Sequence, residues 1–332
     1  MQVEKNIQLK AYNSFRTEAV AKLFGKPESA KDITEILKQY PDEEKLILGS
    51  GCNLFFTKDY DGIVIKPNIT GIKTLSEDDF GIEIEVGAAE DWDSFVEHCV
   101  TNGWAGIENL SLIPGSVGAA PIQNIGAYGA EVKDVITQVN TIDIDTEEVV
   151  VFDNKSCMFD YRNSIFKQTR KYIITSVVFR LSKSFTYRER YIDLNNELQS
   201  IASPTLSDVR NAVIKVRTRK LPNHIDLPNA GSFFKNPILT SQQKETLLNI
   251  LPNAPIYNAG EQLHKTSAAF LIEKAGYKGK RNGNVGTYEK HALIIVNYGT
   301  SKGKDIAAFM QEIQKVVQAK YGITLEPEVW VF

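Results

Sequence analysis

The stretch from Leu112 to Glu131 limits the folds open to this chain more than any other. Gly115, Gly118, Gly126 and Gly129 alternate there with small residues, and Pro114 and Pro121 interrupt it. A regular helix or strand does not run through such a sequence, because glycine gives up the most backbone freedom on ordering and proline removes an N–H donor. A long segment of this kind inside a compact domain points to a working loop. Glycine lets the backbone come close to a ligand, so N–H groups rather than lysines can hold phosphate oxygens. The competing reading is a tight surface loop whose glycines serve only positive φ. A second glycine turn, Gly49-Ser50-Gly51-Cys52-Asn53, follows a short strand at Lys45 to Leu48. It has the first two glycines of a dinucleotide fingerprint without the third, and no Gly-Lys-Ser/Thr follows, so on its own it is a weak signal.

Charge is distributed in the same uneven way. From Thr74 to Glu131 there is no lysine or arginine, whereas Tyr161 to Lys220 is strongly basic, including Arg162, Arg180, Arg188, Arg190, Arg210, Arg217, Arg219 and Lys220. Either these are two solvated faces of opposite sign, or the basic region holds an anionic ligand. Over the whole chain 38 basic and 41 acidic residues nearly cancel, which removes any reason for nonspecific nucleic-acid binding. With 332 residues, 42% of them apolar and 24% charged, the chain has the composition of a globular protein of roughly two domains at about 150 residues each. No apolar run approaches the ~20 residues needed to cross a bilayer, and Met1 to Lys10 lacks an apolar signal segment. Cys52, Cys99 and Cys157 form no metal-binding spacing. The expectation is a cytoplasmic protein with reduced thiols, no bound metal and no membrane contact.

Periodicity sketches the rest. Ser29 and Asp32 look like a capping box ahead of the helical face Ile33, Ile36 and Leu37. Trp92, Phe95, Val96 and Cys99 form a second helical stripe, which Gly103 can terminate, and Leu206, Val209, Val213 and Val216 a third. Strands are expected at Ile63 to Ile65, Ile82 to Val86, Val135 to Ile144, Val149 to Phe152 and Tyr172 to Leu181. After Pro222 a new unit begins. It holds a helix at Ala268 to Lys274, a strand at Leu293 to Asn297, a long helix bearing Ile306, Phe309, Met310, Ile313, Val316 and Val317, and an alternating terminal edge strand from Glu326 to Phe332. This order is α+β rather than strict βαβ repetition.

Three side chains carry chemical potential. Arg162, flanked by large apolar residues, wants an anion, either an internal partner or a carboxylate ligand. Ser232, between Gly231 and two phenylalanines, is a turn residue or a hydroxyl held in an apolar corner. Glu328 lies among Val329, Trp330 and Val331, where desolvation raises a carboxyl's pKa, although an exposed strand edge explains it as well. The four histidines are dispersed; His98 adjoins a core-type helical face, and His291 precedes the apolar run Ala292 to Val296 and can line a site.

Taken together, Asn13-Ser-Phe15, Leu48-Gly-Ser-Gly-Cys-Asn-Leu-Phe55, Ile113 to Glu131, Tyr161-Arg-Asn-Ser-Ile-Phe-Lys167, Gly231-Ser-Phe-Phe-Lys-Asn-Pro237 and Leu325-Glu-Pro-Glu-Val329 resemble, in order, the motifs of the UDP-N-acetylenolpyruvoylglucosamine reductase (MurB) family. The resemblance implies a vanillyl-alcohol-oxidase-like (PCMH-type) FAD-binding fold of two subdomains, residues 1–68 and 69–215, followed by a C-terminal α+β substrate-binding domain, residues 216–332. It implies bound FAD, with NADPH and the enolpyruvyl ether of UDP-N-acetylglucosamine as small-molecule substrates, in a monomeric enzyme. Carried over by motif, the catalytic set is Arg162, Ser232 and Glu328. FAD contacts fall on Gly49, Ser50, Gly51, Cys52, Asn53, Pro114, Gly115, Ser116, Gly118, Ala119, Gln123, Asn124, Gly126, Ala127 and Tyr128. Substrate contacts fall on Tyr191, Lys220 and Asn236, with Lys265 and His291 as further candidates. The segment around Tyr191 resembles the longer subtype, whose tyrosine loop folds over the bound nucleotide sugar. Arg217 and Arg219 join Lys220 as expected partners of the pyrophosphate that both substrates share. Cys52 stands where the family commonly has serine, and the sequence ends at Phe332 where many relatives continue, which bears on how the terminal strand is anchored. A flavoenzyme acting on another alcohol or sugar would keep the glycine loops without this catalytic set, and a non-catalytic nucleotide-binding protein would carry no flavin.

Overall fold

The computed structural model describes residues 2–187, 191–299 and 302–332, so Arg188 and Arg190 lie outside the described residues. The chain forms two compact units, the first built from Met1–Ile7, Ala21–Ser50 and Asp61–Arg219, the second from Gln8–Val20, Gly51–Tyr60 and Lys220–Phe332. These units are discontinuous in sequence. The reason is aromatic: Phe15 and Phe55, far from the C-terminal region in sequence, each pack on the Phe233 ring at a centroid distance of 5.9 Å and on each other at 5.5 Å. All three are fully buried, and each contributes about 1.5–3 kcal/mol by leaving water.

Two sheets organise the first unit. The smaller runs in the order Glu4–Gln8, Val20–Gly25, Tyr60–Ile65, Lys45–Ile47, with the last two strands parallel. The Ala30–Gln39 helix packs Ile33, Ile36 and Leu37 into the same core as Leu23, Ile63 and Ile65. Its expected cap is present: the Ser29 hydroxyl accepts from the Asp32 amide at 3.1 Å and donates to the Asp32 carboxylate at 2.8 Å. The larger sheet is antiparallel, in the order Val149–Asp153, Ile136–Asp143, Tyr172–Ser182, Gly81–Gly87, Ile72–Glu77. Against it lies the Trp92–Thr101 helix, whose Trp92, Phe95 and Cys99 are buried, and which ends where Gly103 takes φ 76° and donates to the Val100 carbonyl. Cys52, Cys99 and Cys157 are free, and burial pushes the Cys157 thiol up to about 12.

The opposed charge segments turn out to be partners within this unit. Arg180 meets Asp78 at 2.5 Å, Lys183 meets Glu77 at 2.7 Å, and Arg210 meets Asp93 at 2.6 Å and Glu97 at 3.8 Å. Arg180 holds the exposed Asp78 carboxyl down at about 2. Arg219 and Lys215 both grip Glu197, at 2.5 and 2.6 Å. Arg180, Lys183, Arg210, Lys215 and Arg219 of the basic region thus meet acids of the chain itself. The exposed pairs add little to stability because water screens them, whereas Arg210 has a 9% exposed side chain and a bidentate partner, the geometry in which an ion pair fixes orientation.

The second unit contains a four-stranded sheet, Asn229–Ser232, Ile294–Asn297, Val285–Thr287, Arg281–Asn282, and a three-stranded one, Ile238–Thr240, Leu263–Thr266, Ile256–Asn258. The Gly303–Tyr321 helix buries Ile306, Phe309, Met310, Ile313 and Val317 as expected, leaves Val316 half-buried, and stops at Gly322 in the left-handed conformation. The terminal segment is not a long alternating edge strand. Only Trp330–Val331 pairs, in parallel, with Leu54–Phe55. It is firmly anchored: the Trp330 and Phe332 amides donate to the Asn53 and Phe55 carbonyls, and the Phe332 carbonyl accepts from the Thr57 amide at 2.6 Å and hydroxyl at 2.7 Å. Among the described residues no helix is long and apolar enough to cross a membrane.

Candidate active site

In the first unit the glycine-rich segment is more ordered than its composition implies. It contains a 3-10 turn at Val117–Ala119 and a small hairpin of Gly126–Ala127 with Ala130–Glu131. Asn124 explains much of this order. Fully buried, it donates to the Glu131 carboxylate and the Asp160 carbonyl, both at 3.1 Å, and accepts from the Lys133 amide at 3.1 Å. Asn124, expected as a cofactor contact, is thus the loop's internal brace. The Ser164 hydroxyl donates to the Ile122 carbonyl at 2.6 Å, tying the Tyr161 to Lys167 segment to the same loop.

Arg162 docks there too. With φ at 52° it directs its guanidinium to the carbonyls of Gly126, at 2.5 Å, and Asn124, at 3.3 Å. A Cβ on Gly126 would come within 3.0 Å of Nη1, so glycine is what lets the guanidinium approach. The Gly49 turn reaches the same loop, since a Cβ on Gly49 would lie 3.1 Å from the Ser116 hydroxyl and 3.4 Å from the Ala119 methyl. Gly118 backs onto Ala88, whose methyl a Cβ would meet at 2.6 Å, while its amide donates to the Ala88 carbonyl. Ser116 is buried, Gln123, Ala127 and Tyr128 are half-buried, and Ser50 and Pro114 are exposed.

The second unit assembles the other half of the predicted set. Phe234 bridges Pro327, and the Glu328 amide donates to the Phe233 carbonyl at 2.9 Å, so Glu328 is held beside the strand that carries Ser232. The Glu328 carbonyl accepts from the Asn53 side chain at 3.3 Å. Ser232 pairs with Ile294 past a register shift, and Gly231, at φ 69°, receives its bend from the Asn229 side chain, which accepts the Gly231 amide at 2.9 Å. The outcome is an exposed serine on a rigid strand beside a half-buried glutamate. Asn236 accepts from the Ala268 amide at 3.0 Å and so helps start the Ala268–Lys274 helix.

His291 and Lys220 face each other electrostatically. Burial first, then the charges of Lys220 and Lys278, hold the His291 imidazole below its ordinary range, with Glu273 opposing. His224 is lowered in the same sense, by burial and by Arg16. The unfolded chain therefore binds protons that the folded chain resists, and stability falls as pH drops through the ordinary imidazole value near about 6.5, levelling off below the folded pKa. His291→Asn should flatten part of the decline in urea midpoint between about pH 7 and about pH 5, leaving the share due to His224. An unchanged slope would remove His291 from this account.

The residues fit a flavin dinucleotide on structural grounds. Among the described residues the Ser14 hydroxyl is the one buried side-chain polar atom without a hydrogen-bond partner, and the Ser14 amide donates to the Gly51 carbonyl of the glycine turn. A Cβ on Gly51 would strike the Tyr12 carbonyl oxygen, so this backbone is packed as only glycine permits. A loop of small neutral residues with close backbone approach suits a phosphate-bearing cofactor held by N–H groups. Residues 21–153 match the FAD-binding domain model and residues 223–332 the model of the UDP-N-acetylenolpyruvoylglucosamine reductase C-terminal domain. The UDP-N-acetylenolpyruvoylglucosamine reductase of Flavobacterium johnsoniae is 44% identical, covering 99% of both chains. The chain belongs to this reductase family. The solved UDP-N-acetylenolpyruvylglucosamine reductase of Thermus caldophilus shares the fold, with a TM-score of 0.70 at 23% identity over 100% of this chain and 99% of its own. The 6-hydroxy-D-nicotine oxidase of Arthrobacter nicotinovorans matches with a TM-score of 0.51 at 12% identity over 96% and 94% of the two chains. The reductase fold here is thus the α+β, vanillyl-alcohol-oxidase-like flavoprotein fold, and FAD is its cofactor.

Sequence reasoning missed the roles of Asp93, Tyr128 and Arg217 around Leu112. The Leu112 amide donates to Asp93 at 2.5 Å and its carbonyl accepts from Arg217 at 3.2 Å. Arg217 and Arg219, expected at a ligand pyrophosphate, are engaged in the first unit by Leu112 with Tyr128 and by Glu197 respectively, whereas Lys220 belongs to the second unit. The signal available was the spacing of Arg210 and Arg217, two helical turns apart on one helix face.

Proposed function

We propose that Arg162, Ser232 and Glu328 act together on one substrate, the enolpyruvyl ether of UDP-N-acetylglucosamine. The chain is an FAD-dependent oxidoreductase that uses NADPH to reduce that ether to UDP-N-acetylmuramate, a peptidoglycan precursor. The observation that supports the residue assignment is the backbone link between Phe233 and Phe234, directly after Ser232, and Pro327 and Glu328.

Gly49 to Asn53 and the Leu112 to Glu131 loop hold the cofactor through backbone groups. Bound FAD would supply the hydride chemistry, with NADPH as the donor and the methylene carbon of the enolpyruvyl group as the acceptor. Negative charge then develops on the carbon conjugated with the substrate carboxylate, and Arg162 with Glu328 stabilises it by charge and hydrogen bonding. Ser232 donates its hydroxyl proton to that carbon. A serine is a weak acid in water, but a carbanionic centre is a strong base, and a fixed donor needs position more than acidity. Lys220 supports the substrate pyrophosphate, with Asn236, Lys265, His291 and Tyr191 as further contacts, Tyr191 belonging to the longer tyrosine-loop subtype. The three segments 1–68, 69–215 and 216–332 serve as two cofactor-binding subdomains and a substrate domain. The enzyme works as a cytoplasmic monomer on small molecules alone, a reading that its three free thiols and near-neutral charge support.

Anaerobic addition of NADPH to the purified yellow protein should bleach the flavin absorbance, and the enolpyruvyl substrate should restore it. A colourless protein, or bleaching with no recovery, would refute the assignment.

A further inference from the structure

The Leu112 to Glu131 loop has two ends, and one side chain touches both. Arg217 lies on the Leu206–Lys220 helix; its Nε donates to the Leu112 carbonyl at 3.2 Å, and its guanidinium hydrogen-bonds the Tyr128 hydroxyl. Leu112 sits at φ 58° and Tyr128 at φ 48°, conformations that side-chain-bearing residues hold only when their surroundings impose them. The imposing contacts are all present. Asp93 accepts the Leu112 amide at 2.5 Å, Arg210 pins Asp93 with bonds of 2.6 and 3.0 Å, and Asn109 donates to the Tyr128 carbonyl at 2.9 Å. Beyond the loop, the Tyr191 ring meets the Tyr128 ring edge-on at 5.3 Å.

We propose that Arg217 is a positioning residue that clasps the two ends of the flavin loop and, through Tyr128, links the Tyr191 segment to flavin retention. The inference rests on the reading of this loop as the flavin cradle. Two consequences follow from its geometry. Loosening the clasp weakens FAD binding without touching Ser232 or Glu328. And a substrate that settles Tyr191 against Tyr128 tightens FAD, because coupling between two binding events is reciprocal.

Arg217→Lys keeps the charge but loses the fork that serves two acceptors, and Tyr128→Phe removes the hydroxyl alone. Flavin release, followed by the rise of free-flavin fluorescence on dilution, should show FAD dissociation constants raised about tenfold in Arg217→Lys and by a smaller factor in Tyr128→Phe. The double variant should resemble Arg217→Lys, since both changes break one contact. Saturating enolpyruvyl substrate should slow flavin release from the wild type more than from either variant. Apoprotein melting should move little. Unchanged FAD affinity in Arg217→Lys, fully additive losses in the double variant, or a melting fall as large in the apoprotein as in the holoprotein would overturn the clasp. If Arg217→Lys does not fold, Tyr128→Phe with the substrate-protection measurement decides alone. A wild-type protein without flavin would instead defeat the reading of the loop itself.

Discussion

Replacing Ser232 by alanine is expected to slow reduction of the enolpyruvyl substrate by about 10²–10⁴-fold while flavin bleaching by NADPH keeps its wild-type rate. The two halves of the reaction separate because only the second needs a proton delivered to carbon. The structure favours a clean experiment. Ser232 is exposed on a strand fixed by its neighbours, with the buried Phe233 and Phe234 directly after it, so removing the hydroxyl leaves the packing intact. Rapid mixing under anaerobic conditions reads each half-reaction separately. Equal losses in both would deny Ser232 its role as proton donor, and no loss in either would do so as well.

The second large effect concerns the backbone. Gly51→Ala should lower the melting temperature by about 5–10 °C and release FAD, whereas Ser50→Ala, one residue away and exposed, should do neither. Gly51 has φ 70°, where an L side chain costs roughly 1–2 kcal/mol. The new methyl would also collide with the Tyr12 carbonyl. That carbonyl has little room to retreat. The Tyr12 amide donates to the Leu9 carbonyl at 2.9 Å, and the buried Asn13 side chain donates to the Leu9 and Thr17 carbonyls at 2.8 and 3.0 Å. Strain and overpacking together cost about 3 kcal/mol. Wild-type melting with flavin retained would show that the turn yields more easily than its hydrogen bonds imply.

The helices of this protein are legible in its sequence because their apolar faces and caps are local. Ser29 with Asp32, and the stripe Trp92, Phe95 and Cys99, need no knowledge of what lies opposite. Several strands are not legible for the converse reason. Ile72–Glu77 is exposed along its whole length and shows no alternation; it is a strand only because Gly81–Gly87 offers it an edge. The terminal segment alternates well, yet pairs over only Trp330–Val331, since its partner Leu54–Phe55 is equally short. The site divides along the same line. Ser232 and Glu328 are legible from motifs, whereas the Phe234–Pro327 bridge between their segments spans most of the C-terminal region and no spacing announces it. Charge misled in an instructive way. A basic segment and an acidic one read as a ligand surface or two solvated faces, but complementary segments of one chain can simply find each other, as Arg210 and Asp93 do.

The threading of the second unit also governs when it can form. A ribosome releases Gln8–Val20 and Gly51–Tyr60 long before it releases Lys220–Phe332, yet among the described residues the ladder partner of Leu54–Phe55 is Trp330–Val331. Phe15 and Phe55 must therefore wait for Phe233, in a pairing of very long sequence separation that is intrinsically slow to close. Until Trp330–Val331 is made, this part of the chain is exposed to aggregation.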